Sequence, residues 1–189
     1  MMFSTFLLLA VTVDAEPLID AKSYPEALAA LGVPKGKAKR KRWLASADDR
    51  SMVLFARASE GMGQFARCRS VFERVAARQP SVADTLRARA LSCAVKADDK
   101  VAARRLAEQL IASDEKDRAL IVLAGMGELK EGLSAYRLTL SGRCTSRWCQ
   151  AKILGAASKA SSDVARPGID ALLASQFADL AAGEEAYKR

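Results

Sequence analysis

The chain has 189 residues, with 50% hydrophobic and 28% charged side chains and a formal net charge of +8. This balance excludes a disordered chain and a polytopic membrane protein, and the length is sufficient for one domain with a core of ordinary size. The sequence contains no histidine and no asparagine, which excludes Ser-His and Cys-His nucleophile systems, histidine metal sites and N-glycosylation.

The composition favours helices over strands. Alanine and leucine, which are strong helix formers, number 37 and 22, whereas only 5 prolines and 11 glycines are available to separate short strands. We therefore predict an all-α fold.

Residues 1–15, MMFSTFLLLAVTVDA, are typical of a signal peptide. The apolar run Phe3–Val13 has the length of a signal-peptide core and is too short to span a bilayer. Val13 and Ala15 stand at the −3 and −1 positions of a cleavage site before Glu16. We expect an exported protein, periplasmic or secreted. The alternative is a cytoplasmic protein in which this run forms a buried N-terminal helix.

Residues 16–48 are predicted to hold one short helix, Tyr24–Leu31, followed by a basic linker. The helix pattern ends at Gly32 and Pro34. The basic run that follows comprises Lys35, Lys37, Lys39, Arg40, Lys41 and Arg42. Such a run indicates contact with anions, whether nucleic acid, acidic lipid headgroups or an anionic polymer. The alternative is a solvated, flexible linker.

Residues 49–150 repeat with a period of 34. A shift by this period aligns three sets of residues: Met52, Leu86 and Leu120; Ala56, Ala90 and Ala124; Phe72, Leu106 and Leu140. Each unit reads as two helices, and stacked pairs would share one continuous core. The recurring alanine is expected where two helices approach closely.

The predicted helices of this region follow from apolar periodicity and from breakers. They are Ser51–Glu60, Gln64–Arg78, Val82–Lys96, Lys100–Ala112, Lys116–Ala124 and a helix near Leu129–Leu140. Asp98-Asp99 is expected to cap the fourth of these. Residues 151–189 complete two further helices, Arg147–Ala160 and Pro167–Ala182, which would cap the stack.

The pattern resembles the tetratricopeptide repeat over residues 49–150. Met52, Phe55 and Ala56 match its first-helix positions, and the second-helix positions match at Cys68, Phe72, Val75 and Pro80. The first helices lack the family's tryptophan or tyrosine, and Arg89 stands where leucine is expected. The alternative is a generic α-α superhelix.

The resemblance implies a scaffold that binds a partner protein in a concave groove lined by first helices. The matching groove positions are Arg50, Arg57, Arg87, Leu91 and Arg118. The family's asparagine-based carboxylate clamp is absent. The arginines still suit an acidic partner segment, because guanidinium groups pair with carboxylates bidentately. The alternative function is sequence-independent binding of an anionic polymer, nucleic acid or membrane surface through the basic run.

Four cysteines, Cys68, Cys93, Cys144 and Cys149, indicate two disulfides in an exported chain. Cys68 lies 12 residues before and Cys93 13 residues after the break at Pro80, so two antiparallel helices joined there would bring them together. We expect Cys68–Cys93 and Cys144–Cys149, with Trp148 packed inside the second loop. A four-thiolate zinc site and four buried thiols are the alternatives.

No catalytic constellation is recognisable. Adjacent acids such as Asp48-Asp49 point to different sides of a helix and are better explained as helix starts. We expect a protein that is not an enzyme and that uses no cofactor, metal or small-molecule substrate. An enzyme based on carboxylates or on Cys144 and Cys149 is the third hypothesis.

Overall fold

The computed structural model describes residues 14–126, 137, 140–160 and 166–176. Within these ranges every regular element is a helix and no strand occurs, which confirms the predicted all-α class. The chain divides into two compact units, residues 1–71 and 72–189.

Residues 14–71 of the first unit contain four whole helices and the start of a fifth. They are α1 (Ala15–Asp20), α2 (Tyr24–Ala30), α3 (Lys37–Ser46), α4 (Asp49–Gly61) and α5 (Phe65–Ala76), whose last turns belong to the second unit. Helices α1 and α2 pack against each other and against α4. Helix α4 is therefore the scaffold on which the N-terminal segment rests.

Helix α4 begins with a well-formed cap. The Asp48 carboxylate accepts hydrogen bonds from the Ser51 Oγ at 2.6 Å and the Ser51 N–H at 2.9 Å. Both bonds favour the ionised carboxylate and lower the pKa of Asp48. The cap fixes where α4 starts and hence which of its faces is buried.

A small apolar core fastens the N-terminal segment to α4. Its buried members are Ala15, Ile19, Ala27, Leu54 and Ala58, and Leu18, Tyr24, Leu28 and Leu31 pack around them. The core draws on α1, α2 and α4. Helix α1 was not expected from the sequence, and its first residue, Ala15, is the residue that precedes the predicted cleavage point. The remainder of the predicted signal peptide, residues 1–13, lies outside the described residues.

Five of the six residues of the basic run are helical, so the flexible-linker interpretation is wrong. Helix α3 covers Lys37–Ser46, and the Trp43 and Phe55 rings lie 5.6 Å apart between centroids. Lysine and arginine are good helix formers, and the aromatic contact supplies the tertiary anchor that a charge count does not show.

The second unit continues as helix pairs. After the last turns of α5 and a short 3-10 turn, Pro80–Val82, come α6 (Ala83–Lys96), α7 (Lys100–Leu110), α8 (Lys116–Gly125), α9 (Arg147–Ala160) and α10 (residues 166–176). Helix α7 packs on α6 and α8, and α8 packs on α9. Arg137 links α8 and α9, because its guanidinium donates to the carbonyl oxygens of Ala124 and Ala156 at 2.8 and 2.5 Å.

The 34-residue period corresponds to a real periodicity of burial. The aligned members are all buried: Met52, Leu86, Leu120, Ala56, Ala90, Ala124, Phe72, Leu106 and Leu140. Helices α4, α6 and α8 begin at Asp49, Ala83 and Lys116, close to one period apart. Stacking in the manner of the tetratricopeptide family remains a prediction.

The predicted helix boundaries agree with the described helices to within about two residues. Asp99 caps α7 as expected, accepting from the Ala102 N–H at 3.0 Å, whereas Asp98 takes a left-handed conformation with φ of 52°. Most of the helix predicted near Leu129–Leu140, and residues 177–182 of the last one, lie outside the described residues.

Candidate functional site

Three carboxylates of the N-terminal segment face two arginines of α4. Arg57 Nη1 lies 3.0 Å from a Glu16 oxygen and Arg57 Nη2 lies 2.8 Å from an Asp20 oxygen. Arg50 Nη2 lies 3.3 Å from the second Glu16 oxygen and 3.8 Å from Asp14. We call these five residues the α1 clasp. Glu16 is its centre, because its two oxygens reach both arginines.

The two arginines contribute unequally. They stand seven residues apart, so they share one face of α4. The Arg57 side chain is only 27% exposed and reaches two carboxylates, whereas the Arg50 side chain is 70% exposed. Exposed pairs contribute little, since water and salt screen them. Arg57 is therefore the stronger half of the clasp.

The arginines predicted to line the groove all have carboxylate partners. Arg50 and Arg57 belong to the first unit and Arg87 and Arg118 to the second. Arg87 pairs with Asp84 at 2.8 Å and Arg118 with Glu115 at 3.4 Å, each along its own helix segment.

Leu91 was wrongly assigned to the groove. It is completely buried in α6, which packs against both α7 and α8. A residue without exposed surface cannot contact a partner in this state, so Leu91 is a core residue.

The basic run has a different environment. Lys35, Lys37, Lys39, Lys41 and Arg42 are exposed, and Arg40 is half-buried with its guanidinium donating to the Lys35 carbonyl oxygen at 3.0 Å. Within the described residues, none of these six side chains makes an ion pair. In the part of the chain that the structure describes, six cations thus stand together without a paired carboxylate.

Helix α3 is electrostatically unfavourable as it stands. Its first turn carries basic residues at the positive end of the helix dipole, and Gly36 offers no side-chain cap. Lys37 and Lys41 are four residues apart and repel each other on one face. Burial, together with the nearby charge of Arg40, lowers the pKa of Arg67 on α5. An anion bound at the basic run would relieve this repulsion.

All described cysteines are oxidised. Cys144 and Cys149 form a disulfide with their Cα atoms 5.7 Å apart, and Cys68 and Cys93 are likewise disulfide-bonded. The Cys144–Cys149 pairing is the one predicted. With their sulfurs in disulfides, the described cysteines form neither a four-thiolate zinc site nor four free thiols, the two alternatives to the predicted bridges.

Asp117 of α8 organises the loop closed by Cys144 and Cys149. Its carboxylate accepts from the backbone N–H groups of Thr145 and Ser146 at 2.7 and 2.8 Å, and from the Ser146 hydroxyl. Burial alone would raise the pKa of Asp117, but these hydrogen bonds outweigh it and hold the pKa below its usual value. The arrangement is structural, because every donor is part of the loop that it orders.

Trp148 is not packed inside this loop, contrary to the prediction. It is 53% exposed, and Lys152 Nζ lies 5.9 Å from its ring centroid. That distance allows a cation–π contact on the surface.

A shallow cleft of about 500 Å³ lies where α6 and α8 end. Val95, Ile121, Val122 and Met126 line it, with Asp98, Asp99 and Lys100 among the polar residues. The Asp99 carboxylate is already engaged in capping α7. The described lining therefore presents no nucleophile with an adjacent base.

Comparison with protein-family models, with curated proteins and with solved structures gives no match. Among the described residues, no helix combines the length and the apolar character required to cross a bilayer.

Proposed function

We propose that the chain is an exported helical scaffold, without catalytic activity, that binds an acidic segment of a partner protein. The observation that supports it is the uneven distribution of counter-charges. The four predicted groove arginines each face a carboxylate, whereas the six cations of the basic run face none within the described residues.

The basic run is the accessible surface for a first encounter. Its cations protrude from a helix that is anchored by the Trp43–Phe55 contact, so they are presented on a fixed element. Preorganised cations attract an acidic chain and raise its association rate, and binding does not carry the entropic cost of ordering a linker.

Export is supported by the oxidation state of the cysteines. Disulfides persist in the periplasm and outside the cell, whereas cytosolic reductants keep most thiols reduced. The described cysteines are all disulfide-bonded, which is compatible with an exported chain.

A second candidate is sequence-independent binding of an anionic polymer, nucleic acid or membrane surface. The environment of Trp43 favours it. Trp43, the aromatic residue within α3, packs against Phe55 and is not free to stack on a base, so the basic run offers charge without base selectivity. Both candidates use the cations of the basic run. They differ in whether the protein distinguishes an acidic peptide from other anionic polymers.

The test is binding of the full chain to two fluorescent probes of equal charge, an Asp/Glu-rich peptide and a single-stranded oligonucleotide, in rising salt. The test variant is Lys37→Gln/Lys39→Gln/Lys41→Gln. The control, Arg89→Gln/Lys100→Gln/Arg104→Gln, removes three exposed cations from the second unit. We expect the test variant, and not the control, to lose about tenfold affinity for the peptide, as three exposed pairs predict.

Selectivity decides between the candidates. Peptide binding that persists at about 0.3 M salt, where long-range attraction is screened, supports the scaffold. Equal affinities that decline in parallel for both probes support the polyanion binder. Equal effects of the test and control variants would show that the net charge, and not the basic run, is responsible.

A further inference from the structure

Helix α1 is held in place by tertiary contacts. It has only six residues, with Pro17 among them, and an isolated helix of that length is not stable in water. Its order comes from two buried side chains, Ala15 and Ile19, and from the ion pairs of the α1 clasp. Because α1 packs on α2 as well as on α4, the α1–α2 segment is bound to α4 in the manner of a docked peptide.

The surface beneath α1 combines charge with apolar contact. Arg50 and Arg57 flank Leu54 and Ala58, and these four positions follow the spacing of one helix face. Leu54 and Ala58 are buried against α1 and α2, while the guanidinium groups meet the carboxylates above them. Such a surface selects a helix that carries acids beside small or branched apolar residues.

We propose that this face of α4 is a docking site for an acidic amphipathic helix, and that the α1–α2 segment, with its acids on α1, is the internal occupant. A partner helix with the arrangement shown by Asp14, Ala15, Glu16, Ile19 and Asp20 would bind by exchange with α1. The proposal rests on the scaffold function and specifies the chemistry of its partner.

The internal occupant sets the affinity that a partner must reach. A tethered segment competes at an effective concentration of about millimolar, and the apparent affinity of a partner falls with the fraction of chains in which α1 is displaced. Weakening the clasp should therefore strengthen binding of an added acidic helix. A site without an internal competitor would show no such gain.

The probe is a fluorescent synthetic peptide with the sequence of residues 14–31, and a scrambled peptide of the same composition reports binding by charge alone. The opening variant of the full chain is Glu16→Gln/Asp20→Asn. The matched control, Glu26→Gln/Glu108→Gln, removes two exposed acids that make no ion pair in the described residues.

The opening variant should bind the probe about fivefold or more tightly than the wild type and the control, since three partly exposed ion pairs, Glu16–Arg50, Glu16–Arg57 and Asp20–Arg57, are lost. Adding Arg50→Gln/Arg57→Gln to it should abolish the gain, and the scrambled peptide should bind weakly throughout. Equal affinity for the probe in the opening and control variants, with unchanged helical circular dichroism, would overturn the proposal.

A steric variant provides a second test in case the charge variant does not fold. Gly61→Ala forces Tyr24 of α2 away from α4 while leaving every charge in place. It should also raise probe affinity, and failure of both opening variants overturns the docking site. Loss of probe binding in Lys37→Gln/Lys39→Gln/Lys41→Gln alone would assign binding to the basic run, which leaves the scaffold function standing and removes the α4 site.

Discussion

The ring of Tyr24 packs against Gly61, at the last residue of α4, so closely that a Cβ atom on Gly61 would overlap the ring. From the sequence, Gly61 is only a helix breaker before a turn. In the structure it provides the space that allows α2 to lie on α4. We expect Gly61→Ala to lower the free energy of unfolding by about 1–3 kcal/mol, as overpacking does.

Urea unfolding followed by circular dichroism measures this effect. Gly125→Ala is the matched control, because Gly125 also ends a helix and an added Cβ there meets no atom within 4 Å. The control should be neutral or slightly stabilising, since alanine favours helices. Equal stability of the two variants would contradict the packing of Tyr24 on Gly61.

Asp98 occupies a left-handed conformation that suits glycine better. Its φ is 52°, and it lies between α6 and the residue that caps α7. We expect Asp98→Gly to stabilise the chain by about 0.5–1 kcal/mol, because glycine carries no Cβ penalty there. Asp114→Gly, at a turn position without positive φ, should be neutral or destabilising in the same thermal melts.

The Asp117 carboxylate should make stability depend on pH. Because its pKa is lower in the folded chain, the unfolded chain binds the proton more readily. The contribution is therefore complete above about pH 4 and is lost as the pH falls through the folded pKa. Asp117→Asn should cost about 1–3 kcal/mol at pH 7, where hydrogen bonds from the Thr145 and Ser146 groups are weakened, and less at pH 3.

Unfolding by urea at the two pH values tests this expectation. The exposed Asp114→Asn is the control and should cost little at either pH. An Asp117→Asn penalty that is the same at pH 7 and pH 3 would show that the ionised carboxylate is not what orders the loop.

The Cys144–Cys149 bridge closes a short loop and should contribute about 2 kcal/mol to stability in the chain-entropy model. Cys144→Ser/Cys149→Ser removes it, and thermal melts should show the loss. Chain purified from its native compartment should react with iodoacetamide only after reduction, with four sites labelled. Labelling without reductant would contradict the oxidised state and the argument for export.

Cleavage after Ala15 should loosen α1. The cut removes Asp14, whose carboxylate accepts the Glu16 N–H at 3.1 Å and caps the helix, and it removes the buried Ala15. Hydrogen exchange of the Ser23 N–H, which donates to the Leu18 carbonyl oxygen at 2.8 Å, should be faster in a chain that begins at Glu16 than in the full chain. Unchanged protection would mean that Ile19 and the ion pairs of Glu16 and Asp20 are sufficient to hold the segment.

The helical class and most helix boundaries could be predicted because they depend on local properties. Alanine and leucine content favours helices, and breakers such as Pro80 and the cap at Asp99 act within a few residues. Burial at the 34-residue period was predictable as well, since each repeated apolar position needs a neighbour of the same kind. Met52, Leu86 and Leu120 illustrate this.

The wrong predictions concern residues whose environment is set by contacts with residues distant in the sequence. Leu91 was placed on a surface by register, but the packing of α6 on two helices buries it. The basic run was expected to be a linker by its charge, but the contact of Trp43 with Phe55 holds it as a helix. Neither partner is visible from the local sequence.

The sequence by itself determined the helical class, the period of the apolar positions, the pairing of the cysteines and the concentration of positive charge before Trp43. Only the tertiary structure decided which cations have counter-ions. Arg50 and Arg57 meet Glu16, more than thirty residues earlier in the chain, whereas the basic run meets no carboxylate within the described residues. The physical reason is that an ion pair depends on distance in space and not on distance along the chain. Here the six-residue helix α1, which is stable only when docked, brings Glu16 close to the two arginines.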